Sequence, residues 1–112
     1  LDIATSGSGD VRIDALTADT LTVDVSGTSK QDLTGTVKQQ SVTISGSGTY
    51  LAGDLKSQGA TVDISGSGNV TVWAVETLNA SISGSGDIKY YGKPQVTFNE
   101  SGSGHIQSLG DK

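Results

Sequence analysis

Serine is the residue type with the most obvious capacity for chemistry in this chain, but its surroundings do not favour catalysis. A serine nucleophile needs a neighbouring base, and the only histidine is His105, close to the C-terminus. Strings such as Gly46-Ser47-Gly48 belong to a repeated Ser-Gly-Ser-Gly sequence and not to the strand-to-helix elbow that exposes a nucleophile. We therefore expect no catalytic serine, and we expect His105 to occupy an exposed position just after a turn.

Aspartates could bind calcium if they recurred at one repeat position. Solenoids that bind Ca²⁺ carry Asp at the same place in every turn. Here Asp10 and Asp87 share their repeat position with a lysine and a histidine, and Asp24 and Asp63 alternate with threonine and asparagine. This mixture predicts no metal ladder and no cofactor, although it leaves a single isolated cation site open.

Carboxylates could also support polysaccharide cleavage, a chemistry that occurs on β-helices. It requires acidic and basic side chains clustered on one face. Arg12 is the only arginine, and the two glutamates, Glu76 and Glu100, fall at different repeat positions from each other. The sequence therefore predicts a protein that is not an enzyme, and carbohydrate-active catalysis is the weakest of the alternatives.

An aromatic pair gives the clearest hypothesis for a binding site. Trp73 and Tyr91 occupy the same repeat position in successive repeats, and Leu109 follows in the next. Period-two alternation with Val72 and Tyr90 turns them outward, where aromatic rings can stack on a sugar or anchor a protein partner. The alternative is that the third side of the repeat, or a segment outside this chain, covers them.

The element that must position these residues is an internal repeat of 18–20 residues. It is marked by a Ser-Gly-Ser-Gly turn that occurs five times, with a degenerate sixth copy at Ser26-Gly27-Thr28-Ser29. The intact copies are Ser6-Gly7-Ser8-Gly9, Ser45-Gly46-Ser47-Gly48, Ser65-Gly66-Ser67-Gly68, Ser83-Gly84-Ser85-Gly86 and Ser101-Gly102-Ser103-Gly104. Glycine permits the tight corner, and stacked serines are expected to form a hydroxyl ladder there.

The segments on either side of each turn alternate apolar and polar residues, as half-buried strands do. The last apolar position before the turn is occupied by Val25, Ile44, Ile64 and Ile82 in the central repeats, but by Glu100 in the last. A third, less regular segment carries Leu16, Val37, Leu55, Val75 or Pro94. We predict an all-β, single-domain parallel β-helix (solenoid) over residues 1–112, with about six rungs and right-handed winding.

Charge and composition exclude several classes of partner. The net charge is −5 and there is no basic cluster, so a nucleic acid or an anionic membrane surface is not expected as a partner. No apolar run is long enough to insert into a membrane, and cysteine is absent. The chain begins at Leu1 without a signal peptide or any methionine, which favours a piece of a longer protein.

The run from Ile82 to Pro94, with Ser83-Gly84-Ser85-Gly86-Asp87, then Tyr91-Gly92-Lys93-Pro94 and a final Ser-Gly-Ser-Gly, resembles the GIN-domain family of putative autotransporter-adhesin head domains. The resemblance covers nearly the whole chain and implies the C-terminal part of a longer all-β domain. It also implies an extracytoplasmic location in a bacterium, at the cell surface, outer membrane or periplasm, and adhesion as the activity.

The predicted function is therefore that of a non-catalytic cell-envelope or secreted module that binds protein or glycan, with contacts at Trp73, Tyr91 and Leu109. The alternative is a structural spacer or sensor ectodomain whose partner lies in the same protein. Open solenoid ends favour self-association, because a bare last rung accepts a further strand. Polar residues from Gln107 to Lys112 are expected to blunt the C-terminal end, whereas the end at Leu1 is expected to be uncapped.

Overall fold

A computed structural model describes residues 2–110 and shows a solenoid of parallel strands, of about six turns. Leu1, Asp111 and Lys112, which enter the predictions for the two ends, lie outside the described residues. The strands are β1 (Asp2–Gly7), β2 (Asp10–Gly27), β3 (Lys30–Gly46), β4 (Thr49–Gly66), β5 (Asn69–Gly84), β6 (Asp87–Tyr91), β7 (Gln95–Gly102) and β8 (His105–Ser108). They pair in the order β1-β2-β3-β4-β5-β6-β8, with β7 also on β5, and every pair is parallel. The all-β solenoid prediction is confirmed.

Identical repeat positions stack in register, as the alternation predicts. Val42 pairs with Val23 on one side and with Val62 on the other, and all three are buried. The inward columns form one continuous core of Val, Leu, Ile and Ala, with the single large aromatic Tyr50 inside it. Because adjacent strands lie about 4.8 Å apart, each side chain packs mainly on its counterparts in the neighbouring rungs.

The third side is more regular than its sequence indicates in the rungs built from β2 to β5. Strands β2 to β5 run for 16–18 residues, so they continue through the corner that follows the second apolar column. The irregularity is confined to shifts in register, such as the one between Ala52 and Lys56 in β4. On this side Ala74, the register partner of Ser57, is buried, whereas Val75 is 41% exposed.

Backbone atoms, and not serine hydroxyls, form the ladder at the glycine corner. The first glycine of each turn has a positive φ, 131° at Gly66, and an added Cβ there would lie 2.5 Å from the carbonyl oxygen of Gly46. That same oxygen accepts a hydrogen bond from the Ser67 amide at 2.9 Å. The serines beside these glycines, Ser65 and Ser67 among them, are exposed. The corner thus closes only with glycine, and the serine hydroxyls that were expected to form a ladder lie exposed on its outer side.

The last rung keeps its register despite its unusual residue. Glu100 pairs with Ile82 and stands in the core column, but it is exposed because β7 is an edge strand of the described residues. The remaining inward side chains of this rung, Val96, Phe98 and Ile106, are half-buried. The glutamate at this normally apolar position therefore puts a charge on the last rung and leaves the solenoid intact.

Candidate functional site

The three residues predicted to contact a partner lie on one outward column. Trp73 in β5 is the register partner of Tyr91 in β6, and both side chains are half-buried. The amide of Leu109 donates to the carbonyl of Tyr90 at 2.7 Å, which places Leu109 in the next rung beside Tyr91. Leu109 is 36% exposed. The structure thus brings the predicted residues together, and their binding of a ligand stays a prediction.

The column continues on the other side of Trp73 with a lysine. Lys56 of β4 is the register partner of Trp73, and its Nζ lies 5.8 Å from the centroid of the indole ring. An ammonium at this distance from an aromatic face is attracted by the ring's quadrupole. The order along the column is therefore cation, indole, phenol and leucine.

A register shift explains why Lys56 stands there. Residues 53–55 of β4 have no partner in β5, since pairing jumps from Ala52 to Lys56 while the β5 strand advances by only one residue. The extra length folds around Gly53, and a Cβ added at Gly53 would lie 3.1 Å from Cε2 of Tyr91. The absence of a side chain at Gly53 thus leaves room for the phenol ring against the strand.

A buried chain of polar groups supports Trp73 from the core side. The hydroxyl of Ser57 donates to the carbonyl oxygen of Trp73 at 2.8 Å, and the Gln40 side-chain amide donates to the Ser57 oxygen at 2.8 Å. The Tyr50 hydroxyl donates to Oε1 of Gln40 at 2.7 Å. Burial raises the pKa of the Tyr50 hydroxyl well above its usual value, so this group remains a donor. The Trp73 backbone is consequently held by the core and not by the surface alone.

A hollow beside the aromatic pair extends the surface. Thr71 and Lys89 stand two residues before Trp73 and Tyr91, on the same outward side of their strands, and are register partners. The hollow has a volume of ≈ 250 Å³ and is lined by Leu51, Asn69, Val70, Thr71, Asp87 and Lys89. This is just below the range of about 300–1,000 Å³ that is usual for small-molecule pockets, so the site suits a ligand that lies across the surface.

The other residues with chemical capacity are not assembled into a site. His105 is exposed and stands beside Asp87 in the column after the turn, as predicted. Within residues 2–110, no group of three or more His, Cys, Asp or Glu side chains is placed to hold a metal ion. The same residues include no helix with the length and apolar character needed to cross a bilayer.

Reasoning from sequence missed Lys56, Gly53, Ser57 and Lys89. The first three lie where β4 is longer than β5, so counting from the turn does not align them with Trp73. The change of repeat spacing from 20 residues to 18 between these rungs signals an insertion without locating it. Lys89 could have been found, since it stands two residues before Tyr91 on an alternating strand.

Comparison with known proteins adds a family and two solved structures. The family model described as "Putative auto-transporter adhesin, head GIN domain" matches residues 1–94. A putative adhesin from Bacteroides fragilis, solved by crystallography, shares 33% sequence identity with this chain. The two structures match with a TM-score of 0.92, over 97% of this chain and 50% of the adhesin chain. A putative lipid binding protein from Parabacteroides distasonis is 29% identical, with a TM-score of 0.86 over 97% of this chain and 53% of its own. No curated protein matches. The chain thus spans about half the length of these solved structures.

Proposed function

The chain belongs to the putative auto-transporter adhesin head GIN-domain family, and from this premise we propose that it is a non-catalytic surface module that binds glycan through Trp73, Tyr91 and Leu109. The observation that carries the proposal is the register pairing of the two aromatic residues on one outward column. The proposed location is extracytoplasmic, at the bacterial cell surface, because an adhesin meets its partner there. A protein partner is an alternative outcome of the test.

The column has the physical properties of a sugar platform. Aromatic rings in neighbouring rungs repeat at about 4.8 Å, close to the length of one pyranose ring, so a chain of sugars can contact both. The apolar faces of the sugars would cover the rings, and hydroxyls would reach Thr71 and Lys89, whose side chains line the adjoining hollow. Lys56 beside Trp73 adds a donor for a hydroxyl or carboxylate oxygen.

The rigidity of the aromatic column favours the same proposal. Ser57 fixes the carbonyl of Trp73, and Gly53 leaves room for the ring of Tyr91 against the strand. Side chains that are already held lose little entropy when a ligand binds, so a shallow surface can reach useful affinity. Neither contact involves a group that could cleave a glycosidic bond, which supports binding without turnover.

The test is a glycan-array screen of the purified chain, followed by titration of any ligand found. We expect Trp73→Ala and Tyr91→Ala each to weaken binding about tenfold, since loss of one stacked ring costs about 1.4 kcal/mol. Val75→Ala is the matched control, because Val75 is exposed close to Trp73 but lies outside the column. Circular dichroism and melting temperatures establish that each variant is folded.

The outcomes separate the alternatives. Equal glycan binding by Trp73→Ala and wild type would show that the site lies elsewhere. Binding to phosphatidylcholine vesicles, lost in the same variant, would replace glycan by lipid, the ligand class in the name of the Parabacteroides distasonis relative. If the chain binds no glycan, no vesicle and no candidate surface protein, the result would favour the structural role, as a spacer or sensor ectodomain whose partner lies in the same protein.

A further inference from the structure

The aromatic column carries positive charge in a chain that is acidic as a whole. The net charge of the chain is −5, yet Lys56 precedes Trp73 on the column, and Lys89 stands two residues before Tyr91 on the same outward side. Both lysines are exposed. Positive side chains at one surface of an acidic protein select the charge of a ligand, because the rest of the molecule repels an anion.

The two lysines lie at opposite corners of the patch that contains the two rings. Lys56 is one rung before Trp73 and therefore two rungs before Tyr91, a separation of about 10 Å along the solenoid axis. Lys89 is in the rung of Tyr91 but is displaced by two residues along the strand, about 7 Å. A ligand that covers both rings consequently has one ammonium group at its Trp73 end and the other at its side.

The column itself holds no carboxylate to neutralise the two lysines. The Nζ of Lys56 lies 5.8 Å from the centroid of the Trp73 ring, an attraction that leaves its charge in place. In the part of the chain that the structure describes, Lys89 forms no ion pair. By contrast, Arg12 and Lys38 lie 3.5 and 3.7 Å from aspartate oxygens. The lysines beside the rings thus keep N–H donors for an anionic group.

Acidic residues near the column reduce its positive charge without removing it. Asp87 stands two residues before Lys89, on the side away from Tyr91, and lines the hollow with it. An anionic ligand is repelled from that side of Lys89 and directed towards the rings. Asp54 and Lys93, each two residues from a member of the column, carry opposite charges, and each has an interaction of its own. They leave the balance of charge unchanged.

We propose that the ligand of the aromatic column is an acidic glycan, whose carboxylated sugars lie on the rings. This inference rests on the proposed function and narrows it to glycans that contain uronic acids. The apolar face of a sugar stacks on Trp73 or Tyr91, and its carboxylate accepts hydrogen bonds from Lys56 or Lys89. The hydroxyl of Thr71, the register partner of Lys89, meets a sugar hydroxyl beside them.

The test compares oligosaccharides of galacturonic acid with the same oligosaccharides after every carboxylate is methyl-esterified. We expect the wild-type chain to bind the acid about tenfold more tightly than the ester in calorimetric titration at low salt. Lys56→Gln and Lys89→Gln should each weaken acid binding about threefold, the effect of one exposed ion pair, and leave ester binding unchanged. About 1 M NaCl should remove the preference, because salt screens exposed charges.

Matched variants separate charge at the column from charge on the whole chain. Lys30→Gln removes one positive charge from an exposed position outside the column and should change acid binding by less than about 1.5-fold. Lys89→Arg keeps the charge and should retain the preference. Asp87→Asn removes the carboxylate beside Lys89 and should tighten acid binding about twofold, with ester binding unchanged. Circular dichroism establishes that each variant is folded.

Each contrary result has its own meaning. Equal binding of acid and ester by wild type, lost in Trp73→Ala, would overturn the acidic specificity and leave glycan binding standing, as would binding of neutral glycans alone. The absence of all glycan binding would overturn both. Acid binding that Lys30→Gln weakens as much as Lys89→Gln would reduce the preference to general charge. Binding to phosphatidylglycerol vesicles that depends on Lys56 and Lys89, without binding of the acid, would assign the anion to a lipid phosphate instead.

Discussion

At the scale of the residue, Tyr50 shows how polar groups can be part of a narrow apolar core. Its side chain is fully buried and is the largest of the buried set. Its hydroxyl donates to Gln40, which donates to Ser57, which donates to the carbonyl of Trp73. A chain of this kind is stabilising only while every member has its partner. The same groups thus fill the core and hold the backbone of the proposed binding site.

Replacing Tyr50 by phenylalanine should therefore destabilise the fold at neutral pH. The variant keeps the ring but leaves Oε1 of Gln40 buried without this donor, which costs about 1–3 kcal/mol. Chemical denaturation of Tyr50→Phe beside wild type measures the loss. Tyr90→Phe is the matched control, because Tyr90 is only half-buried, and it should change stability less; equal losses would contradict the role assigned to Tyr50.

The raised pKa of Tyr50 gives the same residue a dependence on pH. In the unfolded chain its hydroxyl loses a proton near pH 10, whereas in the folded chain it remains protonated at that pH. The folded state then binds more protons, so the free energy of unfolding falls as pH rises above about 10. A group whose pKa is raised by folding makes its full contribution to the free energy of unfolding below its unfolded pKa, and that contribution declines as the pH rises above it.

Sequence reasoning at this scale could place outward residues but not their neighbours. Trp73 and Tyr91 were predictable as a column because both follow regular alternation from the preceding turn. Lys56 and Ser57 were not, since the pairing of β4 with β5 shifts between Ala52 and Lys56. Side-chain hydrogen bonds such as that from Ser57 to Trp73 depend on this shift and have no sequence period.

At the scale of the element, the corner is the part of the rung with the least tolerance. Each internal glycine of the first column faces the backbone of the glycine one rung before it, at a distance that admits no side chain. The positive φ adds a second restriction, because side chains other than glycine's avoid this region. Strands before and after the corner can vary in apolar residue, and the corner can vary as in Ser26-Gly27-Thr28-Ser29, but its first glycine cannot be replaced.

Alanine at Gly66 should consequently destabilise the solenoid by about 2 kcal/mol or more, from the strained φ alone and before the clash is added. The matched control is Gly9→Ala, because Gly9 lies outside the positive-φ region and has nothing within 4 Å of its Cβ position. Gly9→Ala should change stability by about 0.5 kcal/mol or less. Thermal unfolding of both variants measures the difference, and similar melting temperatures would show that the stacked corner is not the restriction described.

The strands before and after each glycine turn were predictable because alternation and turn sequence agree there. The third side was expected to be looser, and the structure instead pairs it as a continuation of β2 to β5. Its register shifts interrupt the period of two, which is the only strand signal that a short segment carries. On this side Ala74 occupies the core position, and the larger apolar residue beside it, Val75, is exposed.

At the scale of the whole molecule, stability should be distributed along the solenoid axis. Each rung packs mainly on the rung before and the rung after it, so the free energy is close to a sum of rung terms and interface terms. An inner rung has two interfaces and an end rung of the described residues has one. Repetition made this architecture predictable from the sequence. Each of the six similar segments is too small to bury its apolar side chains alone, so the segments must stack.

Hydrogen exchange should therefore show a gradient from the middle of the solenoid to both ends. Amides of Val42 and Val62, in fully covered strands, should exchange most slowly, at a rate that reports global unfolding. Amides of Ile3 and Ile106, in edge strands, should exchange about a hundredfold faster, because opening an end rung breaks one interface only. Mass spectrometry of exchanged peptides or NMR measures the rates, and equal protection in β1, β4 and β8 would show that the rungs open as a single cooperative unit.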